Sequence, residues 1–485
     1  MNGTKICWVH AVSEYSYRAI SLMEPTESIS LLLAAMRSGT LTSMGLVERC
    51  LARIEAADRD LRAWISVNAS GARADALRAD ENLARGIVLG VLHGIPIGIK
   101  DIVDVAGTVT GAGSPLRMKS QPPAERDAAL VTALRRAGAI IIGKTVTTQF
   151  ACFDPPPTNN PRGADRTPGG SSSGSAAAVA AGMVPAAIGS QTGGSITRPA
   201  SYCGVCGMKP TFQTVSLDGV VPVASSLDHP GPIARTVGDL RSMLQALTGT
   251  ACAESELPAI SGLRLGRLRH FFEDRVDPEL SDALNATIDR FASAGATIVD
   301  IDVPSEFSDV LVHHRRIMAT EAAAWHRERF REHRDDYGPC VASLIEDGLQ
   351  TSYDDYLASK AHQLALTTAM AAQFQDSIDA LLTPATTGPA PDAATTGDPC
   401  MNAPWSYTGL PTVSFPIGLS TDRLPLAIQL AGPHRHDWRL LDVAEACESQ
   451  LLKISHRMNW WRLGITSAQK IDSRVSESHG RTTDV

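Results

Sequence analysis

Lysine is scarce in this chain, with eight in 485 residues. One of them, Lys100, ends the run Gly-Ile-Pro-Ile-Gly-Ile-Lys, where every preceding neighbour is apolar or glycine. Burial disfavours the ammonium form and lowers its pKa, so an amine in such a segment can stand neutral near pH 7 and take up a proton. Downstream lie two small-residue loops rich in hydroxyls, residues 169–175 (Gly-Gly-Ser-Ser-Ser-Gly-Ser) and 190–195 (Ser-Gln-Thr-Gly-Gly-Ser), flanking an Ala-rich segment at 176–182 that reads as a short buried helix. Glycine permits positive φ and close approach of main chain to a ligand. A Thr-Gly-Gly-Ser run can therefore turn several N–H groups toward one point, the design of an anion or oxyanion site.

Plainer readings of the same residues exist. Lys100 could simply pair in the core with the adjacent Asp101. A Gly/Ser run is often a linker, but linkers are not followed by seven alanines and valines in nine residues. No G-x-x-x-x-G-K-S/T spacing marks a phosphate loop. The pentapeptide Gly170 to Gly174 does match G-x-S-x-G, the nucleophile elbow of serine esterases, with Ser172 at its centre. That reading needs a histidine base from His313, His314, His434 or His436, and no local pattern singles one out.

Composition narrows the classes. A hydrophobic fraction of 44% is ample for a large core. Lys plus Arg at 44 against Asp plus Glu at 52 gives a net charge of −8, with no basic cluster suited to a phosphate backbone, so nucleic acid is not an expected partner. No run of 18 apolar residues occurs and the first twenty residues lack a signal-peptide core, which points to a cytoplasmic protein with no membrane partner. Nine scattered cysteines fit reduced thiols, and Cys203 and Cys206, the one C-x-x-C, lack a second ligand pair, so neither a structural metal nor a cofactor is expected.

The elements that must position these groups read as alternating helices and strands. Helices are expected at 28–37, 43–57, 69–85, 127–137, 236–247, 278–294, 313–335, 352–375 and 438–452. Strands are expected in the apolar stretch ending at Lys100 and at 139–143, 263–268, 296–303, 378–383, 411–418 and 424–431. The pattern predicts one large α/β domain, a central twisted mixed sheet covered by helices on both faces. Residues 1–24 read as an N-terminal arm, with Met23 a second candidate start, and 455–485 as a polar tail without periodicity.

Three stretches together resemble the amidase signature family: Leu92-His-Gly-Ile-Pro-Ile-Gly-Ile-Lys-Asp101, the loop-helix from Thr167 to Gly182, and Thr192-Gly-Gly-Ser-Ile196 with Gly204 to Pro210. The likeness spans about 41–452, within a domain taken as 25–454 whose catalytic core covers about 90–240. It implies a triad of Lys100, Ser171 and Ser195, separated by 171 − 100 = 71 and 195 − 171 = 24 residues. In it Ser195 attacks an amide carbonyl, Ser171 relays the proton and neutral Lys100 is the base. The resemblance further implies a cis peptide between Gly170 and Ser171, an oxyanion hole from the N–H groups of Thr192, Gly193, Gly194 and Ser195, and orienting roles for Ser172 and Ser173.

The sequence departs from the commoner family pattern in a paired way. Gln191 stands where many members have Asp, Thr197 where they have Arg, and Arg198 follows one position later, which resembles a subgroup and leaves open any grip of Arg198 on a substrate carboxylate. By resemblance Phe150, Cys152 and Phe153, with Trp405 and Tyr407, would border a substrate pocket, although each could equally be packing. His313, His314, Glu321 and Trp325 read as a solvated or capping set on one helix. The expectation is a cofactor-free amidase acting with water on a small-molecule amide, as a homodimer like many relatives. Alternatives are the amide-hydrolysing subunit of a tRNA-dependent amidotransferase and the Ser172 esterase.

Overall fold

The computed structural model describes residues 27–250, 257–374 and 377–455. The expected arm at 1–24 and the tail beyond 455 lie outside them. One 11-stranded sheet runs through the molecule in the order β1-β3-β2-β4-β6-β5-β10-β11-β9-β7-β8. The strands are β1 (Trp64–Val67), β2 (Pro96–Lys100), β3 (Ile140–Thr145), β4 (Ala186–Gln191), β5 (Cys206–Lys209), β6 (His229–Ala234), β7 (Arg264–Leu268), β8 (Thr297–Ile301), β9 (Ala380–Pro384), β10 (Thr412–Leu419) and β11 (Pro425–Ala431). Pairing is mixed. β3, β2 and β4 are parallel neighbours, as are β9, β7 and β8, and antiparallel pairs join the two groups. Helices flank the sheet, so the α/β expectation of one large domain holds.

The helices at the N-terminal end follow from their caps and stripes. Ser28 and Thr42 accept from the N–H groups of Leu31 and Gly45, opening the helices Ile29–Arg37 and Ser43–Leu61. In the second, Leu46, Val47, Cys50, Ile54, Ala57 and Leu61 form the buried face at helical spacing.

Three differences from the sequence reading matter. The apolar stretch before Lys100 is strand only over Pro96–Lys100, because residues 91–94 form turns at Gly90 and Gly94. The Ala-rich helix starts earlier, at Ser173, and ends at Ala180, so the serine loop forms its first turn. The centre of the sheet, β4, β6 and β5, was not foreseen at all. These strands read Ala-Ala-Ile-Gly-Ser-Gln, His-Pro-Gly-Pro-Ile-Ala and Cys-Gly-Met-Lys, poor in β-branched residues, and two prolines within six argue against a central strand. Every residue in them is buried. Small side chains suit that place because helices approach closely: a Cβ at Gly189 would come within 2.7 Å of Ser172 Oγ. The strand Trp64–Val67 and the helix Pro339–Gln350 were likewise unforeseen.

Candidate active site

Because β3, β2 and β4 run parallel side by side, their carboxyl ends share one edge of the sheet, where open α/β sheets characteristically hold ligands. Lys100 is the last residue of β2, and Ser190 and Gln191 are the last of β4. The helix Ser173–Ala180 is fastened to both flanking strands: Thr145 Oγ1 of β3 donates to Ser175 Oγ at 2.7 Å, and Ser175 Oγ donates to the Ile188 carbonyl of β4 at 2.8 Å. That anchorage brings the preceding serine loop over the end of β2.

The Lys100 amine sits among three hydroxyls. Its Nζ is 2.7 Å from Ser171 Oγ, 2.9 Å from Ser190 Oγ and 3.0 Å from Ser172 Oγ. The Ser172 proton is committed to the Ser190 carbonyl at 3.2 Å, so Ser172 can only accept from the amine. Ser171 and Ser190 are left as the hydroxyls able to donate into a nitrogen lone pair. Burial lowers the Lys100 pKa to about 7, against the opposing pull of Asp228. The neighbouring acid does not hold it, since Asp101 pairs with Lys144.

Burial grades outward across the expected triad: Lys100 is 0% exposed, Ser171 1% and Ser195 8%. The peptide between Gly170 and Ser171 is cis. Ser195 is tied in through its carbonyl, which accepts from Ser172 N at 3.3 Å. No hydrogen bond joins Ser195 Oγ to Ser171 Oγ among the described residues, while Ser171 Oγ meets Lys100 Nζ.

The loop after β4 is gripped from several sides. Gln191 Oε1 accepts from Ile196 N at 3.0 Å, Thr197 N at 3.1 Å and Thr197 Oγ1 at 3.0 Å, which caps the helix Thr197–Cys203. Thr192 Oγ1 donates to Asp228 Oδ1 at 2.6 Å, while Asp228 Oδ2 accepts from Val223 N and Ala224 N. Burial pushes the Asp228 carboxyl up to about 6. His314 Nε2 lies 2.9 Å from the Thr192 carbonyl, and Ser406 Oγ donates to the Gly193 carbonyl at 3.2 Å.

The fate of the remaining expected residues is uneven. Arg198 is buried and donates to the Gly170 carbonyl at 2.8 Å and to Thr396 Oγ1 at 3.4 Å. Ser173 Oγ is buried without a hydrogen-bond partner among the described residues, so it orients nothing through its hydroxyl. The solvated reading of His314 is overturned, since the ring is buried against the loop after β4. Glu321, from the same helix, accepts from Ser226 N at 3.0 Å and from Tyr356 Oη at 3.0 Å. No histidine hydrogen-bonds Ser172 among the described residues; His313 meets Ser359 and His434 meets the Thr408 carbonyl.

The expected pocket residues are mostly enclosed. Phe150 stacks on Tyr337 at 5.2 Å and meets Trp325 edge-on at 6.3 Å. Cys152 is buried, with its thiol held protonated by burial, and Phe153 is half-buried. Trp405 stacks on Phe272 at 5.5 Å, and Tyr407 Oη donates to the Ser359 carbonyl at 2.8 Å. A cavity of about 480 Å³ at Thr214, Arg435, Asp437 and Trp438 involves none of the three triad residues.

Sequence reasoning missed Ser190, Asp228 and Ser406, and named His314 without its partner at the Thr192 carbonyl. Ser190 stood in the hydroxyl-rich loop and could have been found there. Asp228, Ser406 and the His314 contact come from distant segments and carried no local signal.

A buried amine ringed by serine hydroxyls beside a glycine loop belongs to an amide C–N hydrolase, and comparison with known proteins gives the same class. The chain belongs to the amidase family: the family model described as Amidase matches residues 45–441. It is 36% identical over 430 residues to a Pseudomonas putida protein named amidase, covering 82% of this chain and 90% of that one. It is 35% identical over 476 residues to a Glutamyl-tRNA(Gln) amidotransferase subunit from Synechococcus sp. strain CC9311, covering 87% of this chain and 96% of that one. Among solved structures, the peptide amidase from Stenotrophomonas maltophilia aligns with a TM-score of 0.75 and 29% identity, covering 88% of this chain and 97% of that one. No helix of the described residues is long and apolar enough to cross a membrane.

Proposed function

We propose that this protein is a free-standing amidase that hydrolyses a carboxamide or related C–N bond of a small molecule through an acyl-enzyme on Ser195. The observation that carries this reading is the 2.7 Å contact between Lys100 Nζ and Ser171 Oγ at a fully buried amine lowered to about 7. Ser195 Oγ attacks the carbonyl carbon as its proton passes to Ser171 Oγ and the Ser171 proton passes to Lys100. The C–O bond forms, and the displaced electron pair rests on the carbonyl oxygen facing the N–H groups of residues 192–195. Collapse breaks the C–N bond, and the proton returns through Ser171 to the leaving amine. Water then repeats the sequence as nucleophile and releases the acid.

Supporting groups act by holding geometry. Ser172 and Ser190 hold the amine, Gln191 fixes the loop after β4, and Arg198 holds the carbonyl that precedes Ser171. Phe153, the half-buried member of its set, borders the acyl side, and the enzyme works as a cytoplasmic homodimer. The test is a pair of variants. Lys100→Ala and Ser195→Ala should each abolish hydrolysis of a simple aryl amide, and Ser195→Ala should abolish covalent labelling by a fluorophosphonate. Full labelling of the Ser195 variant would move the nucleophile to Ser172 and sink the reading.

A second reading has a specific support, the 35% identity to the amidotransferase protein over most of both chains. Under it the same site would release ammonia from an amide donor beside partner proteins. Amide hydrolysis by the purified chain alone excludes it; glutaminase activity that appears only with added partners establishes it.

A further inference from the structure

We propose that His314 and Ser406 are positioning residues that aim the oxyanion-binding N–H groups of Gly193 and Gly194. This inference rests on the oxyanion role given above to residues 192–195. In a trans peptide the C=O of one residue and the N–H of the next point in opposite directions, so fixing a carbonyl fixes the following N–H. Three successive carbonyls of the loop are fixed. Thr192 O is held by His314 Nε2 at 2.9 Å, Gly193 O by Ser406 Oγ at 3.2 Å, and Gly194 O by Arg198 N at 3.0 Å. The N–H groups of Gly193, Gly194 and Ser195 are thereby directed away from those partners.

The third of these pins is supplied by the helix Thr197–Cys203 itself; the first two must come from elsewhere. Two consecutive glycines leave the backbone free to rotate, and a Cβ added at Gly193 would find nothing closer than 3.6 Å, so packing alone does not lock it. The pins arrive on separate elements, His314 from the helix Val310–Glu332 and Ser406 from the helix Ala403–Thr408. Each is chemically committed to its task. Gln191 Nε2 donates to Ser406 Oγ at 3.3 Å, which leaves the one serine proton for Gly193 O. The His314 ring is neutral, with burial lowering it to about 4, and the nitrogen that faces a carbonyl must be the one carrying hydrogen. Thr192 is steadied from its other side by Asp228.

The test measures kcat and KM for an aryl amide with His314→Leu, His314→Gln, Ser406→Ala and Ser195→Ala. Losing one oxyanion donor costs roughly 100- to 1,000-fold in rate, and a misaimed donor less, so His314→Leu and Ser406→Ala should lower kcat about 10- to 100-fold while KM moves less than about threefold. Glutamine places an N–H near the position of Nε2, so His314→Gln should recover kcat to within about threefold of the parent. A purely packing role would not be rescued this way. Wild-type kcat in both His314→Leu and Ser406→Ala, or a glutamine variant as slow as the leucine one, overturns the inference. If His314→Leu does not fold, Ser406→Ala and His314→Gln carry the same test. Full activity in Ser195→Ala would instead defeat the nucleophile reading; an inactive Ser195→Ala beside unimpaired pin variants defeats only the positioning roles.

Discussion

Asp101 turns its carboxylate onto Lys144, 2.9 Å away, and not onto Lys100, its neighbour in the chain. Adjacent residues at the end of a strand face opposite sides of the sheet, so Lys144 on β3 takes the acid and Lys100 faces the serines. Both members of the Asp101–Lys144 pair are fully enclosed. Replacing Lys144 by Met leaves a buried carboxylate without its partner and should cost about 3–5 kcal/mol of stability. Urea unfolding measures it, and a loss under about 1 kcal/mol would mean that the pair is not the anchor its burial implies.

The amine left to the serines sets a pH dependence. Lys100 must be neutral to accept a proton, and its pKa is lowered to about 7, so kcat/KM should rise with pH to half its plateau near pH 7. Stability follows the same sign. In the unfolded chain the lysine holds its proton up to its ordinary value near 10.5, so between about 7 and 10.5 the unfolded state binds the extra proton. Folding stability therefore grows as pH rises through that window and levels off below it, where both states are charged. Lys100→Met should reduce the slope of the stability curve across the window, leaving the share of Lys209, which burial also lowers to about 7; an unchanged slope would refute the lowered value.

Gln191 serves as a neutral cap. Its Oε1 accepts three hydrogen bonds at the start of the helix Thr197–Cys203. Gln191→Leu strands buried N–H groups of Ile196 and Thr197, each costing about 1–3 kcal/mol. We expect a lower thermal midpoint together with a fall in kcat, because the same helix begins two residues after Ser195. Loss of stability with kcat intact would separate the cap from the site.

Gly174 follows the three serines and packs against the main chain of Ala63, just before β1, and Val146, just after β3. A Cβ there would collide with the Ala63 carbonyl and the Val146 N–H, which are backbone and cannot swing aside. Gly174→Ala should thus displace the helix Ser173–Ala180 and the serines ahead of it, costing about 1–3 kcal/mol or more. Circular dichroism melting with activity measured in parallel checks this, and a variant as stable and active as the parent would contradict the packing.

The sequence by itself determined the chemical groups and their order: a lysine lodged in an apolar run, two hydroxyl-rich glycine loops, and an alternation of helices and strands that specified one α/β domain. Those signals are local, carried by residues within a few positions of one another. Only the tertiary structure decided which groups meet. The central strands β4, β5 and β6 were invisible because their alanines, glycines and prolines are chosen for close approach of neighbouring elements, not for strand propensity. The partners of the loop after β4 could not be read for the same kind of reason. Asp228, His314 and Ser406 lie 36, 122 and 213 residues from their contacts at Thr192 and Gly193, and strand pairing and helix packing, which act across the whole chain, alone set those distances.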